Sequence, residues 1–302
     1  MQKNAYQQLV EVLGKDRVRL DEPMAFHTTF KIGGPADLFY EAESEGEIVN
    51  AVGEANKLGI NYFILGNGSN ILVGDKGYRG LVIKIKNSTI EIKGKETAEV
   101  LAGAGASLSS LIEKAAESSL ADLEFVVGIP GSVGGAVRGN AGAWGQAVGD
   151  FVKRVKVLTP EGEVLWLDRK ECQFEYRGSR FKKTDEVILA VEFLLKKENS
   201  EEIDRRIEEN RQKRTLQPTE PSAGCVFVNP KPESAGLLIE KAGLKKQKIG
   251  RAGISEKHAN FIINLGGATA REVEELINLA REKVKMQFGI ELKDEIVKIG
   301  EF

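Results

Sequence analysis

The 33 glycines of this 302-residue chain, set against 8 prolines, crowd between positions 66 and 149. They punctuate that stretch as three loops: LGNGSN (65–70), AGAGASL (102–108) and GIPGSVGGAVRGNAGAWG (128–145). Glycine lets backbone approach a ligand closely or take positive φ. Successive amides in turn conformations form a concavity that accepts an anion, and hydroxyls such as those of Ser69 and Ser132 add donors. One such loop alone is more readily a tight turn. Three within one span, the last nearly free of charge, favour a diphosphate-containing cofactor. The route is not the dinucleotide fingerprint GxGxxG, because Gly103–Leu108 and Gly66–Ile71 both lack its third glycine. No GxxxxGK[ST] occurs either. A glycine-dense half beside a charged, glycine-poor half suggests a cofactor domain followed by a second domain.

Composition narrows the class. Hydrophobic residues make up 41% and charged residues 29% of the chain, enough apolar material for a sizeable core and too much for a disordered chain. With 43 Lys and Arg against 45 Asp and Glu the formal charge is −2, so no nucleic-acid partner is expected. Two cysteines, Cys172 and Cys225, and two histidines supply neither a disulfide framework nor a four-ligand zinc site. The amphipathic start MQKNAYQQLVEVLGKDRV lacks the apolar core of a signal peptide. The uncharged run Phe125–Val137 is broken by glycine and proline and too short to span a bilayer. A cytoplasmic protein with no membrane partner and no metal is expected.

Along the chain, helices are expected over 5–13, 45–58 (closed by Gly59), 107–119, 234–242 and 270–286. Strands are expected at 62–65, 81–85, 97–102, 187–195, 224–228 and 260–264, with a hairpin of 151–158 and 163–168 about Pro160–Gly162. The composition shifts at 196 into a charged helix ending near Pro218, and the last residues alternate as a terminal strand. The whole reads as α+β.

Individual side chains are less telling. A lone Cys such as Cys225 in AGCVFVNP is most often a small buried hydrophobe. A thiol of ordinary pKa, near ~8.5, is mostly protonated at neutral pH and can also donate a proton. Arg177 in YRGS would ordinarily make a surface ion pair, or else bind a carboxylate bidentately. Glu295 falls in a charged strand, and Arg211, Lys213 and Arg214 read as the polar face of their helix. Spacing alone does not decide among these roles.

Taken together, HTTFKIGGPAD (27–37), LGNGSNILV (65–73), GIPGSVGGAVRGNAGAWG (128–145), YRGSRF (176–181), AGCVFVNP (223–230) and LKDEIVKIG (292–300) resemble the UDP-N-acetylenolpyruvoylglucosamine reductase (MurB) family, in the family's order and over nearly the whole chain. The resemblance is to the short subtype, without the inserted Tyr-bearing substrate loop. It implies a vanillyl-alcohol-oxidase/PCMH-type FAD-binding fold. The FAD-binding domain would cover 1–198 (subdomains about 1–85 and 86–198), the substrate-binding domain 199–288, and a C-terminal strand carrying Glu295 would follow at 289–302. FAD would be held non-covalently by Gly66, Asn67, Gly68, Ser69 and Asn70 and by Gly128, Ile129, Pro130, Gly131, Ser132, Gly134, Gly135, Asn140 and Gly142. His27, the only histidine near the cofactor half, has no attachment role in the family motif.

The activity implied is NADPH-dependent reduction of the enolpyruvyl ether of UDP-N-acetylglucosamine to the D-lactyl ether, in peptidoglycan precursor synthesis. Hydride would reach the substrate by way of flavin N5. Arg177 would stabilise the carboxylate charge, Cys225 would deliver the proton and Glu295 would assist, with Tyr176 and Asn229 contacting the substrate. Cys225 stands where the best-described members carry serine. A monomer is expected. An oxidase of the same fold would return electrons to oxygen and need no proton donor above the flavin, and a non-catalytic nucleotide-sugar-binding module would leave the combination of Arg177, Cys225 and Glu295 without a purpose.

Overall fold

A computed structural model describes residues 2–94 and 97–302. The chain begins with α1 (Gln2–Leu13), β1 (Val18–Pro23), β2 (Pro35–Ala42) and α2 (Glu45–Lys57). Then come β3 (Tyr62–Leu65), β4 (Ile71–Val73), β5 (Tyr78–Ile85), β6 (Ile90–Lys93), β7 (Thr97–Gly103) and α3 (Leu108–Glu117). The third glycine loop contains a short helix, α4 (Val133–Gly139), followed by the paired strands β8 (Gly142–Ala143) and β9 (Gln146–Ala147). Strands β10 (Val152–Leu158), β11 (Val164–Asp168) and β12 (Val187–Lys196) lead to α5 (Ser200–Arg214). The remainder is β13 (Ser222–Cys225), α6 (Ala235–Lys241), β14 (Lys248–Ile249), β15 (Ala252–Ile254), β16 (Phe261–Asn264), α7 (Ala270–Phe288) and β17 (Val297–Ile299). Helices and strands mix as α+β, as expected. No helix among the described residues is long and apolar enough to cross a membrane.

The chain divides into two units. The first comprises residues 1–18, 40–67 and 82–214, the second 19–39, 68–81 and 215–302. In the first unit a five-stranded sheet runs in the order β11-β10-β12-β7-β6. Its central strand β12, VILAVEFLLK, is buried over its first seven residues, which is why it reads as an apolar run interrupted only by Glu192 rather than an alternation. Helix α2 begins at Ser44, whose hydroxyl accepts from the Glu47 amide, and its buried Ile48, Ala51, Val52 and Ala55 recur at helical spacing.

The second unit carries a sheet in the order β13-β16-β15-β14 and the parallel pair β17-β4. Helix α7 opens on a capping box between Thr269 and Glu272 and closes at Gly289, whose φ of 68° suits glycine. Its fully buried Val273, Leu276, Ile277 and Val284 each contribute roughly 1.5–3 kcal/mol on burial. The core they enter also takes Phe30, Ile32 and Leu72 from the earlier segments of the same unit. A further sheet runs in the order β1-β2-β5-β3.

Two local features differ from the sequence expectation. Residues 133–139, glycine-rich and read as loop, form α4 because Ser132 caps the turn through the Gly135 amide at 3.3 Å and Val133, Ala136 and Val137 supply a buried face. The strand expected at 224–228 ends at Cys225. Gly224, at φ +76°, inserts one extra residue between the pairs Ser222–Ile263 and Cys225–Phe261, a bulge of the kind that re-aims the next side chain.

Candidate functional site

In the first unit the glycine loops abut. A Cβ on Gly66 would fall on Oγ of Ser132, and one on Gly134 would stand 2.9 Å from Cβ of Ala104. Ser107 and Ser132 face each other across an isolated bridge, with the Leu108 amide donating to Gly131 O at 3.1 Å and the Val133 amide to Ala106 O at 2.8 Å. The Gly131 and Ser132 amides find no acceptor among the described residues. Ile129 turns back through its amide to Val126 O at 3.0 Å, Gly128 sits at φ +72°, and Pro130 separates this turn from the capped helix. The loop is thus a backbone-lined, uncharged surface with unused donors.

Asn140 ends α4 in the left-handed region and is buried. Its Oδ1 accepts from the Gly149 amide at 2.9 Å, and its Nδ2 donates to Glu175 O at 2.9 Å. That second bond ties the loop to the tight turn Glu175–Gly178, closed by reciprocal amide bonds of 3.0 and 3.1 Å. Arg177 occupies the turn at φ +55°, a conformation that costs a non-glycine residue of order 1–3 kcal/mol. Its guanidinium donates to Gly142 O at 2.8 Å and lies 5.8 Å from the Tyr176 ring, itself largely exposed. Lys182 donates to the Arg177 carbonyl at 2.7 Å. Gly142 opens the β8–β9 hairpin, whose turn residues Trp144 and Gly145 both have positive φ. Over the Trp144 ring stand two cations from the end of α5, Lys213 (Nζ 5.1 Å) and Arg214 (Cζ 4.7 Å).

In the second unit the segments 226–228 and 293–296 run antiparallel. The amides of Glu295 and Ile296 both reach Val226 O, the first at 2.7 Å, and the Val228 amide donates to Lys293 O at 2.9 Å. Glu295 therefore stands just ahead of β17, level with the residue after Cys225. Cys225 is half-buried and in no disulfide, opposite Phe261 in β16. Asn260 fixes this corner, since its carbonyl accepts from the Val226 amide at 2.8 Å. Its side chain holds both the Phe227 amide (3.0 Å) and carbonyl (2.8 Å). Asn70 donates to Glu295 O at 3.1 Å and accepts the Val297 amide at 2.9 Å. Gly68, at φ +64°, lies so close to His27 that no Cβ fits, and Thr29 bridges the Gly68 and Ser222 carbonyls. Asn229 is exposed, and its Oδ1 accepts from the Ala235 amide at 3.0 Å.

Gly66, Asn67, the 128–142 residues, Tyr176 and Arg177 therefore belong to the first unit. Gly68, Ser69, Asn70, Cys225, Asn229 and Glu295 belong to the second. Sequence reasoning passed over Thr29, Trp144 and Asn260, and set Lys213 and Arg214 aside as helix surface. An asparagine abutting the apolar run Phe261–Ile263 was the available signal for Asn260, because a buried amide must be bonded. The close-set backbone loops, their unused amides and the cations on Trp144 suit a dinucleotide cofactor, whose diphosphate needs donors and positive charge rather than carboxylates.

Known proteins with this sequence pattern agree with that chemistry. A family profile described as the FAD binding domain matches residues 36–168, and one for the UDP-N-acetylenolpyruvoylglucosamine reductase C-terminal domain matches 217–299. UDP-N-acetylenolpyruvoylglucosamine reductase of Lachnoclostridium phytofermentans is 42% identical over 98% of this chain and 97% of its own length. That of Syntrophomonas wolfei is 43% identical over 98% of this chain and 99% of its own. The crystal structure of the reductase (MurB) from Thermus caldophilus superposes with a TM-score of 0.80 at 35% identity, covering 94% of this chain and 98% of that one.

Proposed function

The chain belongs to the UDP-N-acetylenolpyruvoylglucosamine reductase family of FAD-binding oxidoreductases, and on that footing we propose that it reduces the enolpyruvyl ether of UDP-N-acetylglucosamine to the D-lactyl ether with NADPH, as a cytoplasmic monomer. Non-covalent FAD would rest on the backbone of 66–70 and 128–135 and, when bound, supplies the hydride chemistry, from NADPH to N5 and on to the methylene carbon of the substrate.

The chain's own residues handle charge and the proton. As the double bond is reduced, negative charge gathers on the substrate carboxylate. Arg177, held by its left-handed turn, stabilises that charge through a preorganised guanidinium. Cys225 gives its thiol proton to the carbon beside the carboxylate and regains one from solvent. Positioned transfer of this kind typically contributes about 10²–10⁴-fold. Glu295 hydrogen-bonds the same carboxylate or holds the donor, while Tyr176 and Asn229 contact the nucleotide sugar.

One observation carries the assignment of donor and acid. The 2.7 Å bond from the Glu295 amide to Val226 O sets the Glu295 backbone beside the residue that follows Cys225, across a two-strand pairing. Anaerobic spectroscopy tests the proposal: NADPH should bleach the bound flavin, and the enolpyruvyl sugar nucleotide should restore its colour stoichiometrically. Cys225→Ala should still be bleached by NADPH while turnover falls at least 10²-fold. Colour returning only with oxygen would make the protein an oxidase, and equal loss of bleaching and turnover would remove Cys225 from the donor role.

A further inference from the structure

Helix α5 treats its last arginine differently from the others. Arg205 pairs with Glu202 and Glu209, Arg206 with Glu124, and Arg211 with Glu208. Arg214 meets no carboxylate among the described residues. It turns onto a separate loop, donating from Nε to Val127 O and from an η nitrogen to Phe125 O at 3.0 Å. Its plane also lies over Trp144, and its Cδ is 2.7 Å from where a Cβ on Gly128 would be. Two alternate carbonyls and an indole thus share one planar fork, a geometry that a lysine ammonium cannot reproduce. Burial, and after it the nearby Arg177 charge, pull Arg214 down to about 10, so the cation is retained at neutral pH against both.

We propose that Arg214 is a positioning residue for the cofactor, fastening the Phe125–Gly128 approach so that the unused Gly131 and Ser132 amides face the flavin diphosphate. The inference rests on the reading that this loop carries FAD. A surface arginine kept for helix stability would pair along its own helix, as Arg205 and Arg211 do. Arg214 instead bonds to the run leading into the glycine loop and stacks on the hairpin at that loop's far end.

The test is FAD affinity of the apoprotein, read from quenching of flavin fluorescence. Wild-type protein that takes up no FAD would sink the flavoenzyme reading itself, separately from this one. Given wild-type uptake, Arg214→Lys, which keeps the charge and loses the fork, should bind FAD at least tenfold more weakly. At saturating FAD it should recover turnover to within about threefold. Gly128→Ala, which leaves Arg214 in place but crowds it, should weaken FAD as well, and the double variant should lose less than the product of the two losses. Should Arg214→Lys fail to fold, Arg214→Gln, which keeps part of the donor set and loses the fork, carries the test. FAD affinity within twofold of wild type in either soluble variant overturns the proposal. So does a raised KM for the sugar nucleotide with FAD affinity unchanged, which would make Arg214 a substrate ligand.

Discussion

The two cysteines show burial running against local sequence. Cys225 lies in the apolar AGCVFVNP and Cys172 in the charged RKECQFEY, and spacing could not tell a reactive thiol from a packed one. Cys172 is fully buried with Sγ 3.4 Å from Asp168 O, and burial pushes its thiol up to about 12. Almost no thiolate exists there at ordinary pH, and the thiolate is the nucleophile. Cys225 is half-buried at a bulge. Iodoacetamide at about pH 8 should therefore modify one equivalent of thiol, located at Cys225 by peptide mapping and abolished in Cys225→Ser. Label on native Cys172 would contradict the burial argument. Arg177 was legible only through its motif, since nothing in the sequence around it announces a left-handed arginine. The φ of +55° is a tertiary imposition, kept in place by the bonds from Asn140 to Glu175 O and from Lys182 to Arg177 O.

Among the elements, the segment before β16 links a titrating side chain to the Cys225 corner. His258 accepts the Asn260 amide at Nδ1 (3.3 Å), and Asn260 holds both Val226 and Phe227. Burial is the main cause that depresses His258 below 6.5, joined by Lys245 and opposed by a backbone bond and Glu240. A histidine held neutral in the fold is protonated more readily when unfolded, so stability should fall as pH drops below about 6.5. The carboxylates act in a lower window. Burial pushes Glu192 up, but its bonds to Lys153 and Arg154 outweigh that and hold it below 4.5. Its contribution is present above that value and is lost only as pH falls well beneath it. Between about pH 7.5 and 5.5 the decline in urea midpoint should thus be smaller in His258→Asn, whose amide oxygen can replace Nδ1. An unchanged decline would remove His258 as its source. Helices and strands with clean periodicity, such as α2, α7 and β12, were legible because packing there agrees with local pattern. α4 was hidden by glycines, and the bulge at Gly224 leaves no mark except the glycine itself.

For the molecule as a whole, the sequence is read in one direction while the second unit gathers three separated segments. The composition shift at 196 marks the start of a charged helix, and the chain enters the last segment of the second unit only after that helix, at Thr215. The earlier entries, at 19–39 and 68–81, have no compositional signal because their apolar residues are spaced like any others. They are nonetheless part of this core. Phe30, Ile32 and Leu72 are at most 2% exposed among the side chains of α6, α7 and β15. Asn264 donates to Phe30 O at 3.0 Å, Asp75 receives the first amides of α7 at 2.7 and 3.0 Å, and β4 is the strand on which β17 pairs. Removing large core side chains costs about 2–5 kcal/mol each, so losing three consumes most of the ~5–15 kcal/mol that holds a typical domain. A fragment of residues 215–302 contains α6, α7 and the β13-β16-β15-β14 sheet of the second unit, but it leaves β17 unpaired and that core open. It should show helical far-ultraviolet dichroism, weak near-ultraviolet dichroism, dye binding and no sharp thermal transition, whereas the full chain melts cooperatively. A cooperative transition in the isolated fragment would mean that the returning segments decorate this core rather than complete it.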